Sequence, residues 1–370
     1  MRFLFIVQGE GRGHMTQSIA LSDILRHGGH QIVEVLLGYS EMRKIPDFFT
    51  KHFENLIRTY DSPNFLKTKD NKHFLIFRSF IHHLKRKKRK AYFNSIRFIS
   101  ERIHEVNPDI VINFYELLGG LVYNRYKMQV PMVCVAHQFI FEHPDYAFRR
   151  KPSFTQRMLR CYTRLCSINA SKCIALSFSQ MPDHTSQQLI VFPPLLRNEV
   201  LNADVETQPF LLGYLLNHGF SEEVIQWHSK HPDVCIHVFW DKPDMPEIYS
   251  PHPNLFFHQL DDESFIGMMK TCRAFFGTAG FESVSEALYL NKPVLIVPAH
   301  AEQELNAFDA WQTGKVILAS SFDLDQLMEI KASPIKEEGQ FQEWVRQSGY
   351  LWNKLWEELK MENGELRMDD

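Results

Sequence analysis

The sequence predicts an α/β fold built from two units of mostly parallel sheet that face each other across a cleft. Three observations carry this. Apolar runs alternate with helical patterns through the first half, the alternation restarts after residue 209, and a proline-bearing stretch, "VFPPLLRNEVLNADVETQP" (191–209), stands between the two series as a linker. Strand–helix alternation favours parallel sheets, and two such units leave room for a ligand between them.

In the first series "FLFIV" (3–7), "QIVEVLLG" (31–38), "DIVINF" (109–114) and "PMVCVAH" (131–137) read as buried parallel strands. Between the first two, Ile19, Leu21, Ile24 and Leu25 follow helical spacing up to Gly28-Gly29. The second series runs "FLLGYLL", a helix at 221–230, "VCIHVFW", "LFFHQL", a helix at 262–270, "RAFFGTAG", a helix at 281–290 and "PVLIVPA". At the end, Trp352, Leu355, Trp356 and Leu359 repeat at i, i+3, i+4, i+7, with Gly349 interrupting the pattern, which predicts a kinked helix packed on the protein. The expected units are 1–195, 206–340 and a terminal helical segment, 341–370, packing back across both.

Composition narrows the class. The 370 residues suffice for two full cores, and no run approaches 18 uninterrupted apolar residues. Met1 leads directly into a strand with no leader pattern, and the six cysteines form no C-x-x-C pair, which fits reduced thiols in the cytoplasm. The net charge of −3 conceals an asymmetry. Residues 1–200 hold 29 basic against 16 acidic side chains, residues 201–370 hold 12 against 28, so the units carry opposite charge.

Two stretches bear on chemistry. "VQGEGRGHMTQ" (7–17) follows the first strand; it fails the G-x-G-x-x-G fingerprint at His14 and the P-loop at Gly13-His14-Met15. Gly11 and Gly13 still suit a backbone turn close to a ligand at a helix start, with His14 at the cleft mouth, although a tight structural turn with an incidental histidine fits as well. "FFGTAGFESVSEALYLNKPVLIVPAHAEQELNA" (275–307) places small residues at 277–280 before a helix, where open N–H groups and the helix dipole attract phosphate. Glu286, further along that helix, suits a ribose diol, and Glu302 and Gln303, on a loop after the next strand, suit sugar hydroxyls; a solvated carboxylate and a capping glutamine are the plain alternatives.

Gly280-Phe281-Glu282-Ser283-x-x-Glu286 followed by Pro298-x-x-x-Glu302-Gln303-x-x-Asn306-Ala307 resembles the donor motif of GT-B glycosyltransferases. The pattern is similar to the UDP-glucuronosyl/glucosyltransferases and to the lipid-II-forming N-acetylglucosaminyltransferase, whose first loop also ends in Gly-His; "GEGRGHMTQ" resembles the opening of a bacterial glycosyltransferase-like group. The specific motifs cover about residues 5–37 and 255–310.

The resemblance implies two facing Rossmann-like domains and transfer of a sugar from a nucleotide diphosphate sugar, a UDP-sugar first, to an acceptor hydroxyl. It puts Gly280 and Ser283, with Thr278 and Phe281 beside them, at the diphosphate, Glu286 at the ribose, Glu302 and Gln303 at the donor sugar, and Gln259 and Leu260 near the base. His14 falls where several such enzymes carry the base, with Glu116 the best candidate for its acidic partner, and His137 and Gln138 fall on an acceptor-side loop. Thr278 and Glu282 replace a histidine and an asparagine of the plant-type motif, and the second glycine-rich loop is missing, so the phosphate grip is expected either to be weaker or to come from Tyr214 and Asn217.

A reaction without metal or other cofactor is expected, since no Asp-x-Asp stands at a strand end and no His/Cys cluster has metal-ligand spacing; inversion is the expected course, with retention left open because the sequence does not show the attack face. "HFLIFRSFIHHLKRKKRKAYFNSIRFISERI" (73–103) sets Phe74, Phe77, Ile81 and Leu84 against the basic run 85–90, and Arg149, Arg150, Lys151, Arg157, Arg160 and Arg164 follow. Such a face fits an anionic membrane carrying a lipid-linked acceptor, and equally a solvated helix face; no motif supports nucleic acid. A non-hydrolysing sugar-nucleotide epimerase and a sugar-nucleotide-binding protein without turnover share the architecture.

Overall fold

The computed structural model of the chain describes residues 1–39, 45–63, 86–146, 151–184, 188–215, 218–330 and 339–366. Strands β1 (Arg2–Gln8), β2 (Gln31–Tyr39), β3 (Ile57–Asp61), β4 (Ile110–Phe114), β5 (Met132–Ala136), β6 (Lys172–Leu176) and β7 (Leu189–Phe192) form one sheet in the order β3-β2-β1-β4-β5-β6-β7. Every pairing in it is parallel. β4 and β5 are buried along their whole length because helices cover both faces, which is why they read as unbroken apolar runs.

The second sheet contains β8 (Phe210–Leu215), β9 (Cys235–Trp240), β10 (Ile248–His252), β11 (Leu255–Gln259), β12 (Ala274–Gly277), β13 (Val294–Ile296) and β14 (Val316–Leu318), ordered β10-β11-β9-β8-β12-β13-β14. Only β10 runs antiparallel, as an edge hairpin on β11. In both sheets the order reverses beside the first strand, between β1 and β4 and between β8 and β12. A crevice opens at such a switch point beyond the carboxyl ends, and ligands of doubly wound sheets bind there. His14 after β1, Glu116 after β4 and Gly280, Ser283 and Glu286 after β12 are among the residues the sequence singled out.

The first helix, Arg12–His27, ends at Gly28, and Gly29 adopts φ +74°, a left-handed conformation that glycine tolerates without strain. Gly9 has a structural duty. Its N–H donates to the Gly38 carbonyl at 3.0 Å, and a Cβ there would run into that oxygen. The stretch taken as a linker is more ordered than expected: residues 191–192 close β7, Asn198–Leu201 is a short helix, and Leu195, Leu196 and Val200 are buried.

The terminal segment is two helices, Gln340–Arg346 and Ser348–Leu366, broken at Gln347 rather than at Gly349. The first bridges the two units: Gln342 donates to the Leu288 and Tyr289 carbonyls, and Trp344 Nε1 donates to Ser177 O. The second buries Trp352 against Phe192 and Trp356 against Phe3. Phe74, Phe77, Ile81, Leu84, Lys85, Arg149 and Arg150 lie outside the described residues, as does Asn217.

Candidate active site in the interdomain cleft

A cavity of about 620 Å³ lies between the two switch points. Gly11, Gly13, His14 and Tyr115 line it from the first unit; Gly280, Phe281, Ser283, Glu286, Glu302 and Gln303 line it from the second, with His137 and Gln138 beside them. Besides Glu116, three candidates stand elsewhere. Thr278 is buried behind the turn, Leu260 packs on the apolar core, and Gln259 is spent on the Lys242 and Met245 carbonyls.

His14 sits in the first turn of its helix, buried, its ring stacked on Tyr115 at 5.4 Å. Burial pushes its pKa down to about 4, because a charged imidazole would lose its hydration; a hydrogen bond to Gln17 opposes this only weakly. The ring is therefore neutral at pH 7 and able to accept a proton. Its expected acidic partner is not Glu116. That carboxylate caps the helix Leu117–Tyr126, accepting from Leu118 N at 3.1 Å and Ser62 Oγ at 2.8 Å, and Oε2 is buried without a partner. Burial raises it to about 7. Glu116 lies under β2, against Gly38, and its duty is structural.

Instead His14 Nδ1 faces Gln17 Oε1 at 3.3 Å, and Gln17 Nε2 donates across the cleft to Glu282 Oε1. Glu282 fits because Gly13 has no side chain; a Cβ there would collide with the carboxylate. Burial first, then the repulsion of Glu286 and Glu302, raises Glu282 to about 7, against bonds from its own main-chain N–H and Gln17.

The helix Phe281–Tyr289 starts at Gly280 without a side-chain cap. Its first amides are not all open, as the sequence had suggested: Gly280 N turns back to Thr278 O at 2.7 Å, and Glu282 N is met by its own carboxylate. Glu286 lines the cavity but is paired. Arg197 Nε and Nη2 both donate to its Oε1, at 2.9 and 2.7 Å, while Nη1 pairs with Asp262. Burial raises the Glu286 pKa, and Arg197 opposes that rise. Burial also works against charge on Arg197, but Glu286 and Asp262 outweigh it and hold the guanidinium ionised.

Glu302 and Gln303 occupy the first turn of the helix Ala301–Gln312 rather than a loop. Gln303 Oε1 accepts from Ala299 N at 2.9 Å, the capping role that was the plain alternative, and Glu302 accepts from Gln138 Nε2 at 2.7 Å across the cleft. His137 Nδ1 bonds Leu176 O at 2.8 Å, and its ring stacks on Phe281 at 3.9 Å. With Arg12 on Asp262 at 3.2 Å and Tyr146 OH on Leu305 O at 3.0 Å, these contacts close the two units on each other.

Sequence reasoning missed Arg197, Gln17, Asp262 and Tyr115. Gln17 was within reach, since it lies three residues after His14 on one helix face. Arg197 sits in the stretch taken for a linker, and nothing in its neighbours marks it. Tyr214, named for the phosphate, does line the cavity, packed on Phe265. Among the described residues no helix is long and apolar enough to cross a membrane, and no group of three or more His, Cys, Asp or Glu is placed to hold a metal.

No match was found among curated proteins. Solved structures are similar in fold at low identity. The glycosyltransferase of kitacinnamycin aligns with TM-score 0.59 and 13% identity over 94% of this chain and 95% of that one. A UDP-GlcNAc 2-epimerase from Neisseria meningitidis, bound to UDP-GlcNAc, aligns with 0.60 and 13% over 97% and 100%. Arabidopsis thaliana UGT89C1, complexed with quercetin, aligns with 0.59 and 12% over 97% and 99%. The architecture is thus GT-B, two facing Rossmann-like domains. The model of glycosyl transferase family 1 matches residues 1–331, and the chain belongs to that family of glycosyltransferases.

Proposed function

We propose that the protein moves a sugar from a nucleotide diphosphate sugar, a UDP-sugar by preference, to an acceptor hydroxyl, with inversion and without a metal. The carrying observation is that a neutral, buried His14 and the uncapped start of the helix Phe281–Tyr289 line one cavity from opposite units. The acceptor hydroxyl gives its proton to His14 as its oxygen attacks the anomeric carbon and the bond to the diphosphate breaks. The first-turn amides of Phe281 and Ser283, the helix dipole, and the guanidiniums of Arg12 and Arg197 stabilise the leaving diphosphate. Glu286, held in place by Arg197, accepts from the ribose.

The acceptor is lipid-linked in this reading. The helices Arg86–Val106, Leu117–Tyr126 and Phe154–Cys166 adjoin one another. They expose Phe93, Tyr126, Phe154, Met158 and Leu165 among Lys88, Arg89, Lys90, Arg97, Arg125, Arg157 and Arg164. Apolar side chains set among cations suit adsorption to an anionic leaflet on the cytoplasmic side.

One observation favours a second reading, an epimerase acting on the donor itself. Glu282, Glu286 and Glu302 gather around the cavity, and epimerisation needs acid and base carboxylates. Incubation with radiolabelled UDP-, GDP- and dTDP-sugars, with and without anionic vesicles carrying a polyprenyl-phosphate acceptor, separates the outcomes. Label in the lipid phase supports transfer, an isomerised donor supports epimerisation, and unchanged donor on a nucleotide-stabilised protein leaves binding alone.

A further inference from the structure

We propose that Glu282 and Gln17 are positioning residues that fix the proton of His14 on Nδ1 and leave the lone pair on Nε2, so that the base in one domain is oriented by a carboxylate in the other. The proposal rests on the reading of His14 as the base. Its logic lies in the direction of each hydrogen bond. The Glu282 oxygen that meets Gln17 accepts, so the Gln17 amide turns its NH₂ toward it. That leaves Gln17 Oε1 facing His14 Nδ1 at 3.3 Å, and an amide oxygen can only accept. The proton must therefore sit on Nδ1.

The arrangement is built rather than loose. Gln17 is 1% exposed, the His14 ring is held against Tyr115, and Gly13 leaves the space that Glu282 fills. When a hydroxyl proton moves to Nε2, the imidazolium keeps its Nδ1–H bond to the Gln17 oxygen, and Glu282 holds that amide in its orientation. Because the carboxylate belongs to the second domain, the base is oriented only while the domains are together.

The test is two-bond ¹H–¹⁵N spectroscopy of the full, unliganded chain labelled at histidine, with His14→Gln assigning the signal. The expected result is an Nδ1–H tautomer for His14 that shifts toward Nε2–H or a mixture in Gln17→Leu and in Glu282→Leu. The exchanged pair Gln17→Glu/Glu282→Gln moves the carboxylate next to the ring; it should restore Nδ1–H and raise the His14 pKa. His137, whose Nδ1 donates to Leu176 O, reports in each variant whether the fold is intact. With an active donor, kcat should fall about 10²-fold in Gln17→Leu at little change in KM, with kcat recovered in the exchanged pair. An Nε2–H tautomer in the parent, or an unchanged one in both leucine variants, overturns the proposal. Normal tautomer behaviour without any sugar transfer overturns instead the reading of His14 as a base.

Discussion

Arg197 offers the most demanding test of the site. Arg197→Met keeps an unbranched apolar stem and removes the charged guanidinium. The structure gives Arg197 two hydrogen bonds to Glu286, whose side chain is 2% exposed, and one to Asp262, at 22%. Asp262 can recover water, whereas Glu286 is left as a buried carboxylate without its cation. Removing one member of a buried pair costs about 3–5 kcal/mol, most of it here from Glu286. At about 2.1 cal/mol/K of unfolding entropy per residue, 370 residues give roughly 1.3 °C per kcal/mol, so the midpoint should fall by roughly 4–6 °C in a thermal scan at pH 8. Two controls bear on the cause. Arg197→Met/Glu286→Gln removes the stranded charge and should recover most of the loss. Lowering the pH should narrow the gap between parent and single variant, because without Arg197 the Glu286 pKa rises further and the carboxyl takes up a proton. A loss under about 1 kcal/mol, or one unaffected by Glu286→Gln and by pH, would refute the pairing as the reason Arg197 is there.

Three further outcomes follow from the same structure. Glu116 is held near pKa 7 against a usual 4.5, so the folded state binds its proton more tightly and stability is lost as pH rises through that window, by up to about 3 kcal/mol. Urea titrations of Glu116→Gln and parent should therefore diverge in the variant's favour between pH 5 and pH 8; a constant difference argues against a buried, titrating Glu116. Trp356→Ala, which removes a side chain stacked on Trp352 at 5.3 Å and edged against Phe3 at 5.0 Å, should cost about 3–5 kcal/mol in the same assay, and a cost below 1 kcal/mol would mean the terminal helix is not docked there. Nucleotide affinity, measured by calorimetry in buffers of different ionisation enthalpy, should rise as pH falls through about 7 with uptake of a proton by Glu282, and Glu282→Gln should abolish the uptake.

Much of this was legible in the sequence, for a specific reason. Parallel strands buried on both faces are apolar throughout, so β1, β2, β4 and β5 announced themselves. β3, with three exposed residues in five, the four-residue β7, and the partly covered edge strands β10 and β14 did not. Of the site, His14, Gly280, Ser283 and Glu286 were placed on the cavity wall because glycine and small residues between a strand and a helix leave a recognisable trace. What stayed hidden were the partners. Which carboxylate meets Gln17, and which arginine meets Glu286, depends on how two units separated by some 265 positions or by a turn-rich connector come together. Neither propensity nor periodicity encodes that meeting. Glu282 illustrates the point: it read as a departure from a motif, and the structure gives it a hydrogen bond across the cleft, from Gln17, that the sequence did not announce.

The charge around the cavity bears on how a donor is held. Six carboxylates, Glu10, Asp262, Glu282, Glu286, Glu302 and Glu304, line it against the two guanidiniums of Arg12 and Arg197, which are both engaged with Asp262. A diphosphate adds further negative charge, so Coulomb repulsion alone would turn it away. The helix start resolves part of the conflict, since it favours an anion and in the closed, donor-free arrangement already holds one, the carboxylate of Glu282 on its own N–H. A phosphate oxygen can take over that N–H while Glu282 keeps Gln17 through Oε1 and, once protonated on its other oxygen, donates to the phosphate. On the proposed reading one anion then replaces another at the same dipole, and the proton taken up by Glu282 relieves the repulsion. The carboxylate that substitutes for the motif's asparagine would keep its bond to Gln17 through the exchange, which on that reading ties donor arrival on the second domain to the orientation of His14 on the first.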